Sequence, residues 1–78
     1  MLVVKIFAFE GAPARRVNYG TIRYDNKRLL AKATSPEHEG TLKLLLSEAD
    51  DNPEQWLRDL HRRYNNYALC ATVAKETK

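Results

Sequence analysis

The sequence predicts a small α+β domain of order β-β-β-α-α-β, with a sheet of roughly four strands, antiparallel or mixed, and both helices packed on one face. Three observations carry that expectation. The chain opens on a β-branched and aromatic apolar run. Two segments then alternate with period two around a short turn. Two later segments repeat their apolar residues at helical spacing.

The opening run is Leu2, Val3, Val4, Lys5, Ile6, Phe7, Ala8 and Phe9. Apolar residues at nearly every position predict a strand covered on both faces and central in its sheet. Lys5 is the exception and is expected to snorkel out of one face. Gly11 and Pro13 end the strand.

Residues 17–24 read as the second strand, with Val17, Tyr19 and Thr21 on one face and Ile22 and Tyr24 on the other. Gly20 marks a bulge or a close backbone approach. Asp25, Asn26 and Lys27 form a turn. Residues 28–33 return as the third strand, antiparallel to the second. The last strand is expected beside the first, the most apolar one.

Two helix starts compete after Thr34. Ser35 is placed to cap a helix beginning at Pro36, whereas Gly40 favours a start near Thr41. In both cases Leu42, Leu45, Leu46 and Ala49 share one face, and Leu44 widens it. The second helix is more sharply signalled. Asn52 caps it, Pro53 suits the first position, and Gln55 sits where a capping box needs it. Trp56, Leu57, Leu60 and Tyr64 define its core face, and Asn65 and Asn66 its stop. Residues 67–74 alternate as the final strand, and 75–78 read as a frayed tail.

The chain has 78 residues, of which 44% are hydrophobic and 29% charged. That composition fits one globular domain over 1–78, with about 4,800 Å² of folded surface. No apolar run reaches the roughly 20 residues of a membrane span. Lys5 interrupts the opening run and no small-residue cleavage site follows, so no secretory leader is expected. One cysteine, Cys70, excludes an internal disulfide framework, and a cytoplasmic setting is the simplest expectation.

The net charge is +3. Residues 1–36 carry seven cations against two anions, residues 37–55 one against six, and residues 56–78 five against two. Such a basic–acidic–basic chain is able to gather its cations on one surface suited to phosphates or an acidic protein.

The motif inventory points away from an enzyme. His61 borders the apolar stripe of the second helix, and its charged form suits a helix C-terminus. Cys70 and His61 make a nucleophile–base pair only if the fold joins them, and no third group is apparent. Glu37, His38 and Glu39 are consecutive, so they do not converge on a metal. Asp50, Asp51 and Glu54 suit a helix N-terminus and lack the calcium-loop pattern. Gly11, Gly20 and Gly40 are too widely spaced for a nucleotide-binding fingerprint. No metal and no cofactor are expected.

The candidate binding residues are basic and aromatic. Arg15, Arg16, Arg23, Tyr24, Lys27 and Arg28 lie on the loop, second strand and hairpin turn, with Tyr19 nearby. Arg58, Arg62, Arg63 and Tyr67 extend the same surface if the fold brings them round. Phosphate contacts from the cations and base stacking on tyrosine describe a nucleic-acid site. Cations on an exposed edge strand also block aggregation, which accounts for the same residues. The sequence favours a non-enzymatic protein-interaction module, with a protein partner or a homodimer formed through a sheet edge. A nucleic-acid-binding domain is the alternative. No membrane partner is expected.

Overall fold

The computed structural model describes residues 1–66 and 68–76. Five strands form one antiparallel sheet: β1 (Leu2–Glu10), β2 (Arg15–Asp25), β3 (Arg28–Ala33), β4 (Asn65–Asn66) and β5 (Leu69–Glu76). Their spatial order is β3-β2-β1-β5-β4. A 3₁₀ turn over Pro36–His38 runs into α1 (Glu39–Ser47), and α2 (Pro53–Arg63) follows.

The α+β class, the antiparallel hairpin and the pairing of the last long strand beside the first all hold. The fifth strand is the addition. It consists of two residues, Asn65 and Asn66, which follow Tyr64, the C-cap of α2, and pair with Cys70 and Leu69. The Asn66 side chain accepts from the amides of Ala68 and Leu69 at 2.9 and 3.1 Å, which closes that turn.

The hairpin between β2 and β3 is tight because Asn26 and Lys27 both adopt positive φ, 50° and 62°. That backbone twist matches the twist of the flanking strands. Gly20 is both a bulge and a close approach. The β1–β2 register slips between Ile6 and Phe7, leaving Tyr19 as the extra residue. A Cβ on Gly20 would lie 2.2 Å from the Lys32 carbonyl oxygen. The bulge also corrects the expected faces of β2. Val17 lies opposite Ala8 and Thr21 opposite Lys5, so they occupy different faces. Tyr19 packs against the core.

The competing helix starts are both used in part. Ser35 precedes the 3₁₀ turn, and the α-helix begins at Glu39, so Gly40 falls in its first turn. On α1, Leu42 and Leu45 are buried, and Leu46 and, just past the helix, Ala49 pack beside them. Leu44 does not widen the stripe: it is 71% exposed. On α2, Asn52 Oδ1 accepts from the Gln55 amide at 3.3 Å. The reciprocal half of the box is absent, because the Gln55 side chain donates to Asp59 at 3.1 Å. The Asn52 amide is satisfied by Asp50 at 2.9 Å instead.

One core joins the helices to the sheet: Leu2, Val4, Ile6, Ile22 and Ala71 meet Leu42, Leu45, Trp56, Leu57 and Leu60. All of it lies on one side of the sheet. β1 is therefore central but not covered on both faces. Leu2, Val4, Ile6 and Ala8 are buried, whereas Val3, Phe7 and Phe9 are half-buried and Lys5 is exposed. The two-layer arrangement leaves the second sheet face bare. The surface is 5465 Å², above the scaling expectation, and the molecule extends 40 × 23 × 20 Å.

The final strand starts and ends later than its alternation suggests. Its register slips between Val3 and Val4, after which Lys75 and Glu76 continue the ladder opposite Val3 and Leu2. The tail is thus ordered through Glu76, whose carboxylate pairs with Arg58 of α2. Tyr67, expected at the start of that strand, and residues 77 and 78 lie outside the described residues.

Candidate nucleic-acid interface on the open sheet face

Strand register decides which side chains share the bare face. Opposite residues of antiparallel strands project to the same side. The rows across the sheet are Leu30–Arg23–Val3–Lys75, then Lys32–Thr21–Lys5–Thr72, then Asn18–Phe7–Cys70, then Arg16–Phe9. Arg28 joins at the hairpin end, opposite Asp25.

Six cations therefore occupy this face: Lys5, Arg16, Arg23, Arg28, Lys32 and Lys75. Asp25 is the one carboxylate that the register places with them. Glu10 and Glu76 fall on the helix side, opposite Arg15 and Leu2. The acidic middle of the chain, Glu37 to Glu54, runs through the helical layer. The fold thus separates charge across the sheet. Among the described residues, the ion pairs are His38–Glu37, Arg58–Glu54 and Arg58–Glu76. None of the six open-face cations has an ion-pair partner there.

Aromatic surface sits among these cations. Phe7 and Phe9 meet edge to face with centroids 5.8 Å apart. The Arg16 guanidinium lies 4.0 Å from the Phe7 centroid. Asn18 Oδ1 accepts from Arg16 Nε at 3.2 Å and holds the group in place. A cation over a ring face is attracted by the ring quadrupole, by roughly 0.5–1 kcal/mol at an exposed site.

A hollow of about 600 Å³ opens on the same face. Lys5, Arg16, Asn18, Thr21, Lys32 and Thr34 line it, and the Gly20 backbone forms part of its wall. Thr34 Oγ1 lies 2.6 Å from the Asn18 carbonyl and 3.2 Å from that of Tyr19, which ties the end of β3 to β2.

The expected binding residues divide into two groups. Arg16, Arg23 and Arg28 stand on the open face. Arg15 projects to the other side, and Tyr24 is half-buried against the core opposite Leu2. Lys27 lies in the hairpin turn. Arg58, Arg62 and Arg63 belong to α2, on the covered side of the sheet, so they do not extend this surface. Arg58 is further committed to Glu54 and Glu76. Tyr67 lies outside the described residues.

Lys5, Phe7, Phe9, Lys32 and Lys75 were not singled out by sequence reasoning. The signal for Lys5, Phe7 and Phe9 is present only as alternate positions of β1, which carries Val3, Lys5, Phe7 and Phe9 on one parity.

The other chemical candidates are accounted for locally. Tyr19 stacks on His38 at 4.2 Å and donates to Glu10 at 3.1 Å. Burial first, and then that hydrogen bond, raises the Tyr19 pKa above the ordinary tyrosine value. His38 Nε2 lies 3.4 Å from Glu37. His61 Nδ1 lies 2.6 Å from the Arg58 carbonyl oxygen. Cys70 is buried and donates its thiol to the Asn66 carbonyl at 2.8 Å. Cys70 sits opposite Phe7 on the open face, whereas His61 belongs to α2 beyond the other face. The sheet separates that pair. Among the described residues, no group of three metal-ligating side chains comes together. No helix there is long and apolar enough to cross a membrane.

Compared with family models, curated proteins and solved structures, the chain matches none.

Proposed function

We propose that this chain is a non-enzymatic binding module whose open sheet face takes single-stranded nucleic acid. The observation that carries the reading is the Phe7–Phe9 pair set among six cations that have no ion-pair partner among the described residues. Aromatic side chains offer every base a stacking platform, and cations track the backbone. Duplexes keep their bases stacked inside, so Phe7 and Phe9 favour a single strand. The unpaired thiol of Cys70 fits a reducing, cytoplasmic compartment.

The test is fluorescence anisotropy with labelled single-stranded RNA, single-stranded DNA and duplex DNA at 50 and 200 mM salt. Three phosphate contacts predict about a twentyfold loss of single-strand affinity between those concentrations. Replacing Lys5 and Lys32 by Gln lowers the salt slope. Replacing Arg62 and Arg63 by Gln leaves it unchanged. No binding at the lower salt overturns the proposal.

A protein-interaction reading has its own support in β3, an edge strand with Leu30 42% exposed. A groove beside it is lined by Ala31, Ala33, Leu42 and Leu46 together with the charged Lys32, Glu39 and Lys43. Two copies pairing through β3 about Leu30 would set Arg28 against Lys32, like charges directly opposed. An acidic extended peptide suits this edge better than a second copy. Capture by an immobilised acidic peptide, blocked by Leu30→Pro in a variant that circular dichroism shows folded, tests that reading.

A further inference from the structure

The hollow on the open face has a symmetry that stacking alone does not use. Lys5 and Lys32 are both register partners of Thr21, one on each neighbouring strand. With adjacent strands about 4.8 Å apart, the two lysines straddle Thr21 at roughly 10 Å between Cα atoms. That separation lets both ammonium groups reach a single anion above the Thr21 side chain. Arg16 supplies a third cation to the same hollow, held by Asn18 and the Phe7 ring. No carboxylate is among its lining residues.

Three cations exceed what one internal phosphate needs. A phosphodiester carries a single negative charge. A phosphate monoester carries about −1.5 to −2 at pH 7 and offers three acceptor oxygens. Charge-assisted hydrogen bonds are roughly twice as strong as neutral ones, so the monoester gains most from this cradle. Phe7 is two residues from Lys5 along β1, roughly 7 Å away. A terminal phosphate over Thr21 therefore leaves its own base within reach of the Phe7 and Phe9 platform.

We infer that the Lys5–Thr21–Lys32 row, with Arg16, forms a subsite for the terminal phosphate monoester of a single strand. This rests on the single-strand reading of the open face and adds recognition of a phosphorylated end. A preference for such ends suits a module that binds the products of nucleic-acid cleavage.

The experiment compares single-stranded RNA octamers of one sequence bearing a 5′-phosphate, a 3′-phosphate or hydroxyls at both ends. A hydroxyl-ended nonamer controls for one added charge. One phosphorylated octamer is expected to bind at least about tenfold tighter than the hydroxyl-ended one, beyond any gain of the nonamer. Lys5→Gln and Lys32→Gln, made together, abolish that preference, whereas Arg62→Gln, on the covered side of the sheet, retains it. Equal binding of all octamers overturns the inference and leaves the single-strand reading standing. A preference that survives the double substitution also overturns it. Failure of every oligomer to bind removes both.

Discussion

The Arg16 guanidinium lies over the Phe7 ring at 4.0 Å, across neighbouring strands and nine residues apart in the chain. The contact depends on the Gly20 bulge, because the register slip leaves Asn18 rather than Tyr19 opposite Phe7. Asn18 then accepts from Arg16. One backbone irregularity thus brings an aromatic ring, a cation and an amide together on the bare face.

Phe7 is expected to contribute most of the stacking. Phe7→Ala should weaken single-strand binding by about 1–3 kcal/mol, or about fivefold to 150-fold, as for other base-stacking aromatics. Phe7→Tyr keeps the ring and should retain most of the affinity. Anisotropy titrations at fixed salt, with circular dichroism to verify folding, measure both.

Gly20 and Gly40 should respond oppositely to the same substitution. Gly20→Ala forces a Cβ against the Lys32 carbonyl oxygen and Leu42 Cδ1, at 2.2 and 2.8 Å. It should cost more than about 2 kcal/mol. Gly40 lies in α1 with nothing within 4 Å of an added Cβ. Gly40→Ala should gain about 0.4–1 kcal/mol by restricting the unfolded chain. Thermal melts of the two variants give the signs directly.

The capping interaction of α2 rests on one side chain. Asn52→Ala removes the acceptor for the Gln55 amide and should cost about 1 kcal/mol. For a domain of this size that is a fall of about 4–8 °C in Tm. Asn52→Asp keeps an acceptor and should hold the melting temperature near the parent value.

Tyr64 donates to Glu48 and links the end of α2 to the end of α1. The hydrogen bond, and then burial, raise the Tyr64 pKa above the ordinary value of about 10. The neutral phenol is the form the fold prefers. Its contribution is complete below the unfolded pKa and is lost as pH rises through the folded one. Near-ultraviolet absorbance titration should show Tyr64 ionising later than free tyrosine. Tyr64→Phe should lower stability at neutral pH by about 0.5–1.5 kcal/mol and flatten the alkaline fall.

The elements coded by near neighbours were legible in the sequence. Asn26 and Lys27 set the hairpin, and Asn52 and Pro53 set the start of α2. The apolar stripe of Trp56, Leu57 and Leu60 set its buried face. On the open face, Arg16, Arg23 and Arg28 were legible but the β1 row beside them and the limits of the face were not, for two physical reasons. A strand with apolar residues on both parities reads as doubly covered, yet the two helices suffice for one face only. Val3, Phe7 and Phe9 consequently looked like core. The cations of α2 belong to the second basic segment of the chain but are separated by the sheet from those of the first. Two-residue β4 carried no periodicity at all, because it exists only through pairing with β5.

Binding of the strand to the open face is read out residue by residue in amide chemical-shift mapping. Unlabelled single-stranded RNA would be titrated into ¹⁵N-labelled protein at low salt. The largest shifts are expected at Lys5, Phe7, Arg16, Asn18, Thr21 and Lys32, with α1 and α2 little changed. Shifts centred on Arg58, Arg62 and Arg63, or none anywhere, would contradict binding at the open face.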